Sequence, residues 1–435
     1  MSNEIIRISN IAKQHQVVDT VMYALSKENL INSAKSIAGN KAIGIDNITK
    51  AEYIEKLDEN VDNLINRMKR MAYRPKPVRR IYIPKLGSNN KRPLGIPAFE
   101  DKMVQDVMAQ ILNAIYDPMF KKFSFGFRPG KSCHQAIAYL DQMLHRQKVN
   151  YIVDMDIKGF FDNINHEHLI KFLEYRIGDR TFIRYIKRFL ICGILEQGKV
   201  QKSEKGTPQG GLVSPILGNI YLHFVLDDWF EKKVEKQTRG YAGMVRYADD
   251  SVACFQYKEE AEAYLRSVEK RLNKFGLELS MEKTKIIEFG RFANRNRKQK
   301  GEKKPETFDF LGFTHYCSLG VKGNFRVKRK TSRKRMKSKI QETKQWLKKR
   351  MHNKVSDTIK QLNIKLLGYY RYYGITDNTY AIRGFYNKVC SMFYKTLNRR
   401  TQKNKYNYKE YYEKIQTQIL RPSIYVDIVK LAYSM

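Results

Sequence analysis

The feature that most restricts the fold of this chain is a pair of adjacent carboxylates set between two apolar runs. The runs MVRY and SVACF lie within residues 244–255 and have strand composition, and Asp249 and Asp250 separate them. Aspartate is common in tight turns, so the pattern predicts a β-hairpin with an acidic tip. Adjacent carboxylates in apolar surroundings repel each other unless a counter-charge neutralises them, which favours a divalent cation at this tip. An ordinary acidic turn is the alternative.

A second acidic site follows the strand-like run YIV at residues 151–153. Alternation along a strand puts Asp154 and Asp156 on one face. Two-metal phosphoryl transfer requires carboxylates from separate strands around ions about 4 Å apart, and Mg²⁺ prefers such oxygen ligands together with substrate phosphates. We therefore expect Asp156 and Asp249, each at a strand end, to share a site for two Mg²⁺ ions. A structural hydrogen-bonding role is the alternative for Asp154.

Positive charge is concentrated in the last third of the chain. The 435 residues carry a formal net charge of +38, and from residue 291 onward there are 36 Lys and Arg against 9 Asp and Glu. Like charges at this density repel one another, which indicates a polyanionic partner that neutralises them. We expect a surface for a nucleic-acid phosphate backbone, with salt-sensitive binding. For any single lysine cluster, a merely solvated face is the alternative.

Composition disfavours several classes of protein. No run of 18 apolar residues is present, so a membrane span is not expected, and the first residues lack the apolar stretch of a secretory signal. The five cysteines form no CxxC pair, which argues against a zinc cage or a disulfide framework and for a reducing compartment. Hydrophobic residues make up 42%, enough for a substantial core at this length. We expect a soluble intracellular protein.

Periodicity predicts a mixture of helices and strands. Residues 78–96 have the pattern of a hairpin, 151–157 that of a strand, and TFDFLGFTHY (307–316) that of one further strand. The stretch 291–306 is polar and basic, which predicts a loop. Apolar residues at helical spacing predict helices over most of 1–73, 101–120, 167–190, 215–230, 258–275 and about 330–400. A more irregular tail is expected after the last of these ranges.

Two further segments have residue types suited to phosphate or nucleotide contact. Residues 206–211 have the sequence GTPQGG, in which glycines allow a close backbone approach and Gln209 offers an amide donor and acceptor. Lys85 and Arg92 flank the turn of the predicted hairpin at 78–96, where two cations could clasp a triphosphate. A plain loop and solvated cations are the alternatives.

In combination, these motifs resemble the reverse transcriptases encoded by group II introns. The blocks that carry the resemblance follow the family's order along nearly the whole chain: NLINSAKSIAGNKAIGID (29–46), RPKPVRRIYIPK with KRPLGIP (74–97), FSFGFRPGKSCHQAI (123–137), VDMDIKGFFDNINH (153–166), GTPQGGLVSPILGNIYL (206–222), VRYADD (245–250), LSMEKTK (279–285), FLGFTHY (310–316), GYYRYYG (368–374) and LNRRTQ (397–402). Each block alone is moderately specific, whereas the ordered set is very specific.

The resemblance implies an α+β fold of the right-hand polymerase type. Fingers and a palm with an antiparallel sheet would be followed by an α-helical thumb, or maturase, domain. The expected ranges are an N-terminal helical extension at 1–73, fingers at 74–150, a palm at 151–316 with a helical insert at about 165–205 and the basic loop 291–306, and a thumb with a basic tail at 317–435.

The resemblance further implies RNA-directed DNA polymerisation. The substrates would be dNTPs, an RNA template and a DNA or RNA primer. The catalytic carboxylates would be Asp156, Asp249 and Asp250. Together with the carbonyl of Ile157 they would hold two Mg²⁺ ions, for which Mn²⁺ could substitute.

Around this centre, the family pattern assigns contacts to the nucleotide and to the primer end. The nucleotide contacts would be Lys85, Arg92, Phe160, Phe161, Gln209 and Gly210. An aromatic ring under the sugar clashes with a 2′-hydroxyl, so Phe161, or alternatively Phe160, would select dNTPs; core burial is the alternative for either ring. Leu311 and Gly312 would form the primer grip.

The resemblance also implies a partner, group II intron RNA, for the basic surface. The residues assigned to nucleic-acid contact are Arg329, Lys330, Arg333, Lys334, Arg335, Arg399 and Arg400. The main alternative is an RNA-binding maturase that assists splicing, with polymerisation secondary. Recruitment to CRISPR or DNA repair is another, and RNA-dependent RNA polymerisation is disfavoured by the aromatic gate.

Two expectations concern what surrounds the polymerase. The cysteine pairs of the HNH endonuclease found in many relatives do not follow the thumb, so this chain is not expected to nick the second DNA strand. The expected location is the bacterial cytoplasm, in association with the nucleoid or with a ribonucleoprotein.

Overall fold

The structure, a computed structural model, describes residues 2–84, 91–196, 198–201, 204–208, 210–320, 323–400 and 406–434. The strands are β1 Val78–Pro84, β2 Lys91–Ile96, β3 Tyr151–Met155, β4 Ile194–Glu196, β5 Lys199–Gln201, β6 Ala242–Tyr247, β7 Asp250–Phe255, β8 Lys285–Glu288, β9 Phe308–Phe310, β10 Phe313–Leu319 and β11 Phe325–Thr331. The α-helices are α1 Asn3–Gln14, α2 Lys27–Ser36, α3 Lys50–Glu55, α4 Leu57–Lys69, α5 Phe99–Tyr116, α6 Cys133–Arg146, α7 Phe160–Asn163, α8 His166–Glu174, α9 Arg180–Ile191, α10 Ser214–Leu222, α11 Glu235–Gln237, α12 Lys258–Lys274, α13 Ala293–Gln299, α14 Arg333–Lys349, α15 Val355–Tyr373, α16 Thr379–Asn398, α17 Tyr408–Lys414 and α18 Ile428–Tyr433. No helix within the described ranges is both long enough and apolar enough to cross a membrane.

The first helices pack as a layer on the long helix α5. Ser2 and Ser26 cap α1 and α2, because each hydroxyl accepts a hydrogen bond of 3.4 Å from a backbone N–H in the first turn of its helix. The apolar stripes of these helices are buried, as the fully buried Ile5 and Leu30 illustrate. The prediction that residues 1–73 are mostly helical is confirmed.

A four-stranded antiparallel sheet, in the order β6-β7-β3-β8, forms the centre of the fold. Side chains alternate between its faces, so Val153 joins the apolar cluster of α5 while Ile152 joins the cluster of Phe308 and Phe310 from β9. Burial on both faces explains why these strands are nearly continuous apolar runs. The α+β class and the strands predicted at 151–157 and 244–255 are confirmed.

Two smaller sheets flank the central one. The predicted hairpin at 78–96 is confirmed, since β1 and β2 pair antiparallel, and β4 adds to β1 in parallel. The prediction of one strand over TFDFLGFTHY is wrong. This segment forms β9 and β10, and the turn between them, Leu311–Gly312, has positive φ angles of 48° and 80° that reverse the chain.

The last helices enclose a core of their own. The apolar stripes of α14 and α15 are buried against α16, with Leu347, Leu362 and Leu366 at 2% exposure or less. The tail after α16, expected to be more irregular, contains the short helices α17 and α18, and Ile428 of α18 packs with Ile137 of α6. The predicted domain boundary after residue 316 also falls inside β10, which pairs along its length with β11.

The basic stretch 291–306, predicted to be a loop, contains the seven-residue helix α13. Glutamates neutralise its cations locally: Arg297 pairs with both Glu302 and Glu306, and Lys300 lies 2.9 Å from Glu288. These ion pairs stabilise a short helix in a stretch whose polar composition predicted a loop.

Candidate active site

The acidic tip predicted from the sequence is a hairpin between β6 and β7. Tyr247 pairs with Asp250, so Ala248 and Asp249 form the two-residue turn between them. Ala248 has a φ of 57°, a left-handed conformation that residues with a Cβ seldom adopt. The turn presents Asp249 at the tip and Asp250 directly after it, at the start of β7.

Strand register brings Asp156 to the same tip. β3 pairs with β7 as far as Met155 opposite Ser251, so Asp156, the next residue, lies beside Asp250 on the neighbouring strand. Neighbouring strands are about 4.8 Å apart. Alternation puts Asp154, Asp156 and Asp250 on the face of the sheet that β9 covers.

The carboxylates at this tip act on one another. Burial raises the pKa of Asp249, and the charge of Asp156 adds to the rise, while Arg92 opposes it. Solvent reaches Asp250, but the protein surrounds much of its carboxylate. Loss of hydration, followed by the charges of Asp249 and Asp156, therefore raises the pKa of Asp250 to about 6. Burial, and then the charge of Asp250, raises the pKa of Asp154 to about 7. The tip therefore favours any cation that would offset this negative charge.

Asp156 already has a cationic partner. The ammonium of Lys283 lies 2.6 Å from its Oδ2, and both side chains are partly exposed. The backbone next to Asp156 is anchored as well, because Ile157 lies opposite Leu279 in a short antiparallel bridge. The residues on either side of Ile157 make the hydrogen bonds of that bridge, 2.8 Å each. Consequently the carbonyl of Ile157 points away from Leu279.

The chemistry of this donor set fits a divalent metal ion. Among the described residues, no group of three or more His, Cys, Asp or Glu side chains converges closely enough to form a complete metal site. Mg²⁺ is usually bound through one or two carboxylates together with substrate phosphates, so a site of this type does not require three converging side chains. Asp156, Asp249 and Asp250 supply oxygen ligands whose mutual repulsion a divalent cation would relieve.

The glycine-rich segment at 206–211 lies against the hairpin of β1 and β2. A Cβ at Gly210 would lie 2.4 Å from the carbonyl oxygen of Gly95, and its φ is 112°, so only glycine fits this contact. Arg92, on the same strand as Gly95, faces the carboxylates closely enough to lower the pKa of Asp249. The predicted Lys85 and Gln209 lie outside the described residues.

The two phenylalanines that follow Asp156 have different surroundings. Phe160 is 3% exposed and belongs to the main core, whereas Phe161 is only partly buried at its edge. Their rings pack edge to face at 5.0 Å. Phe160 is therefore a core residue, which was the alternative considered for either ring. Phe161 is the ring that remains accessible.

The predicted primer grip is the Leu311–Gly312 turn, on the face of the central sheet that carries the carboxylates. The Tyr372 hydroxyl of α15 donates a hydrogen bond of 2.9 Å to the carbonyl of Leu311 and so supports its positive φ. Arg335 of α14 lies against Gly312, and its charge opposes the rise in the pKa of Asp250. Arg335 thus links the Leu311–Gly312 turn with the surroundings of the carboxylates.

The residues assigned to nucleic-acid contact differ in accessibility. Lys330, Arg333, Lys334, Arg335 and Arg399 are exposed, and Arg400 is half-buried. The assignment of Arg329 to nucleic-acid contact is corrected by its burial. Arg329 is 1% exposed and pairs with Asp141 at 2.5 Å and Asp377 at 2.8 Å. Because its guanidinium is enclosed by these carboxylates, it is not available to a phosphate.

One buried cluster next to the acidic tip was not predicted. Arg246, directly before the Tyr247–Asp250 turn, is fully buried and pairs with Asp227. Its place within an apolar strand was a signal, since an arginine is almost never fully buried without a partner. The sequence contains no local indication of which acid would pair with it.

Comparisons with known proteins support the family that the motifs indicate. Residues 83–315 match the family model described as reverse transcriptase (RNA-dependent DNA polymerase). The group II intron-encoded protein LtrA of Lactococcus lactis is 36% identical over 247 residues, 54% of this chain and 41% of LtrA. Protein YkfC of Escherichia coli is 31% identical over 282 residues, 58% of this chain and 74% of YkfC. A putative COX1/OXI3 intron 1 protein of Saccharomyces cerevisiae is 33% identical over 235 residues, 51% of this chain and 28% of that protein. The match thus spans less than half the length of the LtrA relative.

Proposed function

Given that the chain belongs to the reverse transcriptase (RNA-dependent DNA polymerase) family, we propose that it extends a DNA or RNA primer on an RNA template with dNTPs. The observation that carries the proposal is the strand register that sets Asp156 beside Asp250, with Asp249 at the adjoining tip. Carboxylates from separate strands at one edge are the ligands that two-metal phosphoryl transfer requires.

In this proposal, Asp156 and Asp249 hold the metal ions, Asp250 assists, and the carbonyl of Ile157 adds an oxygen. Two bound Mg²⁺ ions, or Mn²⁺ in their place, would activate the primer 3′-hydroxyl and offset charge on the departing pyrophosphate. The chain itself orients the reactants: the Leu311–Gly312 turn borders the primer end, on the sheet face that carries Asp156 and Asp250.

The nucleotide would lie between the hairpin of β1 and β2 and the glycine-rich segment. Arg92 and Lys85 would bind its phosphates as charge-assisted donors, and Gln209 and Gly210 would border the base and template. Phe161, the accessible ring, would lie under the sugar, where it leaves no room for a 2′-hydroxyl.

The domain assignment is part of the same proposal. The right-hand polymerase fold follows from the family, and the central antiparallel sheet is its expected palm. We assign residues 74–150 to the fingers, 151–316 to the palm and 317–435 to the thumb, with the pairing of β10 and β11 as a link across the last boundary.

The test is primer extension by an Asp249→Asn variant. We expect the rate to fall by at least about a thousandfold, because metal-ion catalysis supplies several kcal/mol, while binding of the RNA template persists. The matched control is Asp58→Asn, since the Asp58 side chain is 78% exposed on α4. Extension by Asp249→Asn near the parental rate would refute the proposal.

A second candidate function, binding of intron RNA to assist splicing, is favoured by the exposed basic residues at the start of α14. Relatives named as a group II intron-encoded protein and as a nuclear intron maturase support it. We propose group II intron RNA as the partner. Asp249→Asn separates the two functions: splicing assistance that persists in this variant would be a property of RNA binding alone.

A further inference from the structure

The side chain of Arg246 is completely enclosed, and all its donor groups are used. Nε and Nη2 donate to the two oxygens of Asp227 at 2.7 and 2.5 Å, and Nη2 also donates to Ser124 Oγ at 2.8 Å. Nη1 donates to Asn219 Oδ1 at 3.1 Å and to the carbonyl of Ala248 at 2.8 Å. The last bond connects this cluster directly to the turn that carries Asp249.

The bond to Ala248 acts on a strained residue. Ala248 is a non-glycine residue at a φ of 57°, a strained conformation that persists only where surrounding contacts impose it. The Arg246 guanidinium supplies one such contact, a hydrogen bond from a charged donor that is fully buried. The carbonyl that it holds belongs to the residue directly before Asp249.

A second contact with the Ala248–Asp249 turn comes from residues 123–126. Residues 123–125 extend the central sheet, because the backbone N–H and C=O of Arg246 bond to them at 2.8 and 2.9 Å. Gly126 then lies so close to the turn that a Cβ would be 2.2 Å from the Ala248 nitrogen. Asn219 Nδ2 donates to the Gly126 carbonyl at 2.6 Å and thereby joins this contact to the guanidinium.

Two of the partners of Arg246, Asn219 and Asp227, lie on one irregular helix. Asn219 is on α10, and Asp227 is at the end of the π-helical turn His223–Asp227 that continues it. A π-turn changes the direction of side chains relative to a regular α-helix and is frequent at functional sites. Here both side chains reach the same guanidinium, at positions eight residues apart.

We propose that Arg246 is a positioning residue, which fixes the Ala248–Asp249 turn in the conformation that presents the carboxylates of Asp249 and Asp250 to a divalent cation. The inference rests on the proposed function of these carboxylates. Residues outside the ligand set that orient metal ligands typically change metal affinity or activity by 10- to 100-fold. Arg246 acts on the backbone of the turn and touches no reacting atom.

The experiment compares Arg246→Lys with the parent in three measurements: Mn²⁺ binding by electron paramagnetic resonance without nucleotide, the Mg²⁺ dependence of primer extension, and thermal unfolding. Lysine keeps a positive charge beside Asp227 but cannot also reach the Ala248 carbonyl with a planar fork. We expect Mn²⁺ binding and the Mg²⁺ midpoint to weaken about tenfold or more.

The control is Arg329→Lys, which disturbs a second buried ion pair of Arg with Asp, between β11 and α6. Arg329→Lys should lower the unfolding temperature about as much as Arg246→Lys does. It should leave Mn²⁺ binding and the Mg²⁺ dependence of primer extension unchanged. If Arg246→Lys does not fold, Asn219→Ala keeps the pair of Arg246 and Asp227 and should shift the metal measurements in the same direction.

The outcomes separate this inference from the proposed function. If the parent binds Mn²⁺ and extends primers, Asp249→Asn abolishes extension, and Arg246→Lys shifts metal binding no more than Arg329→Lys does, then the positioning role is wrong. If the parent itself neither binds Mn²⁺ nor extends primers, the proposed function fails first.

Discussion

The ammonium of Lys283 lies 2.6 Å from Oδ2 of Asp156, so one proposed metal ligand is already paired with a cation of the chain itself. Asp249 and Asp250, in contrast, have raised pKa values because burial and neighbouring carboxylates disfavour their charged forms. If Asp156 is a metal ligand as proposed, Lys283 would compete with the metal ion for its carboxylate.

Replacing Lys283 with Gln should strengthen Mn²⁺ binding. An exposed ion pair contributes up to about 1 kcal/mol, so we expect the dissociation constant to fall by at most about fivefold. Mn²⁺ titration followed by electron paramagnetic resonance measures it. Lys158→Gln is the control for a general loss of charge, since Lys158 pairs instead with Glu278. Binding by Lys283→Gln equal to or weaker than that of the control would contradict the competition.

Replacing Phe161 with Ala should relax the choice of sugar. Its accessible ring is the one that could meet a 2′-hydroxyl, so we expect ribonucleotide incorporation relative to dNTP incorporation to rise about tenfold or more. Single-nucleotide extension with dNTP and NTP measures the ratio. Phe160→Leu serves as control, because its buried ring should affect stability and not the ratio. An unchanged ratio in Phe161→Ala would exclude this ring as the gate.

Arg329 and the basic start of α14 should respond differently to substitution. Arg329→Leu removes the guanidinium that pairs with both Asp141 and Asp377, so we expect a loss of about 3–5 kcal/mol in the free energy of unfolding. The double variant Arg333→Ala and Lys334→Ala should change stability by about 0.5 kcal/mol or less, and should weaken RNA binding with a shallower salt dependence. Urea unfolding and RNA titrations at several salt concentrations measure these effects. Equal salt dependence in the double variant and the parent would show that these cations do not contact phosphates.

The titration of Asp101 should lower the free energy of unfolding as the pH rises from about 4 to about 7. Burial raises its pKa to about 7 from 3.8, against the hydrogen bonds that it accepts from the Tyr73 hydroxyl and the Lys76 N–H. In that window the unfolded chain loses the proton while the folded protein keeps it, so folding becomes less favourable with rising pH. Asp101→Asn should remove this contribution, as urea unfolding at pH 4.5 and 7.5 would reveal. The slope should persist in Asp58→Asn, and the same slope in Asp101→Asn and the parent would contradict the assignment.

Local patterns predicted the parts of the fold that local physics controls. The hairpin around Asp249 follows from two apolar runs and a turn, and the helices α14 and α15 follow from stripes such as Leu362 and Leu366. The site prediction placed Asp156 and Asp249 at strand ends, and the register of β3 with β7 brings those ends together.

The features that were missed depend on contacts distant in sequence. The local sequence does not distinguish the buried Arg329 from the exposed Arg333. Arg329 is buried with Asp141, an ion-pair partner that lies 188 residues earlier in the chain. The turn at Leu311 is supported by the Tyr372 hydroxyl 61 residues later. Arg246 looks like an interruption of an apolar strand until Asp227 is seen beside it.

The ion pair of Arg329 with Asp141 determines how this protein can be divided into fragments. Asp141 precedes the central sheet in the sequence and its guanidinium partner follows it, while Ile428 of the last helix rests on the same helix as Asp141. Severing the chain after residue 316 would separate the buried carboxylate of Asp141 from the guanidinium of Arg329. Separately expressed fragments would thus each lose a buried ion-pair partner, so the two parts of the chain are better studied as one piece.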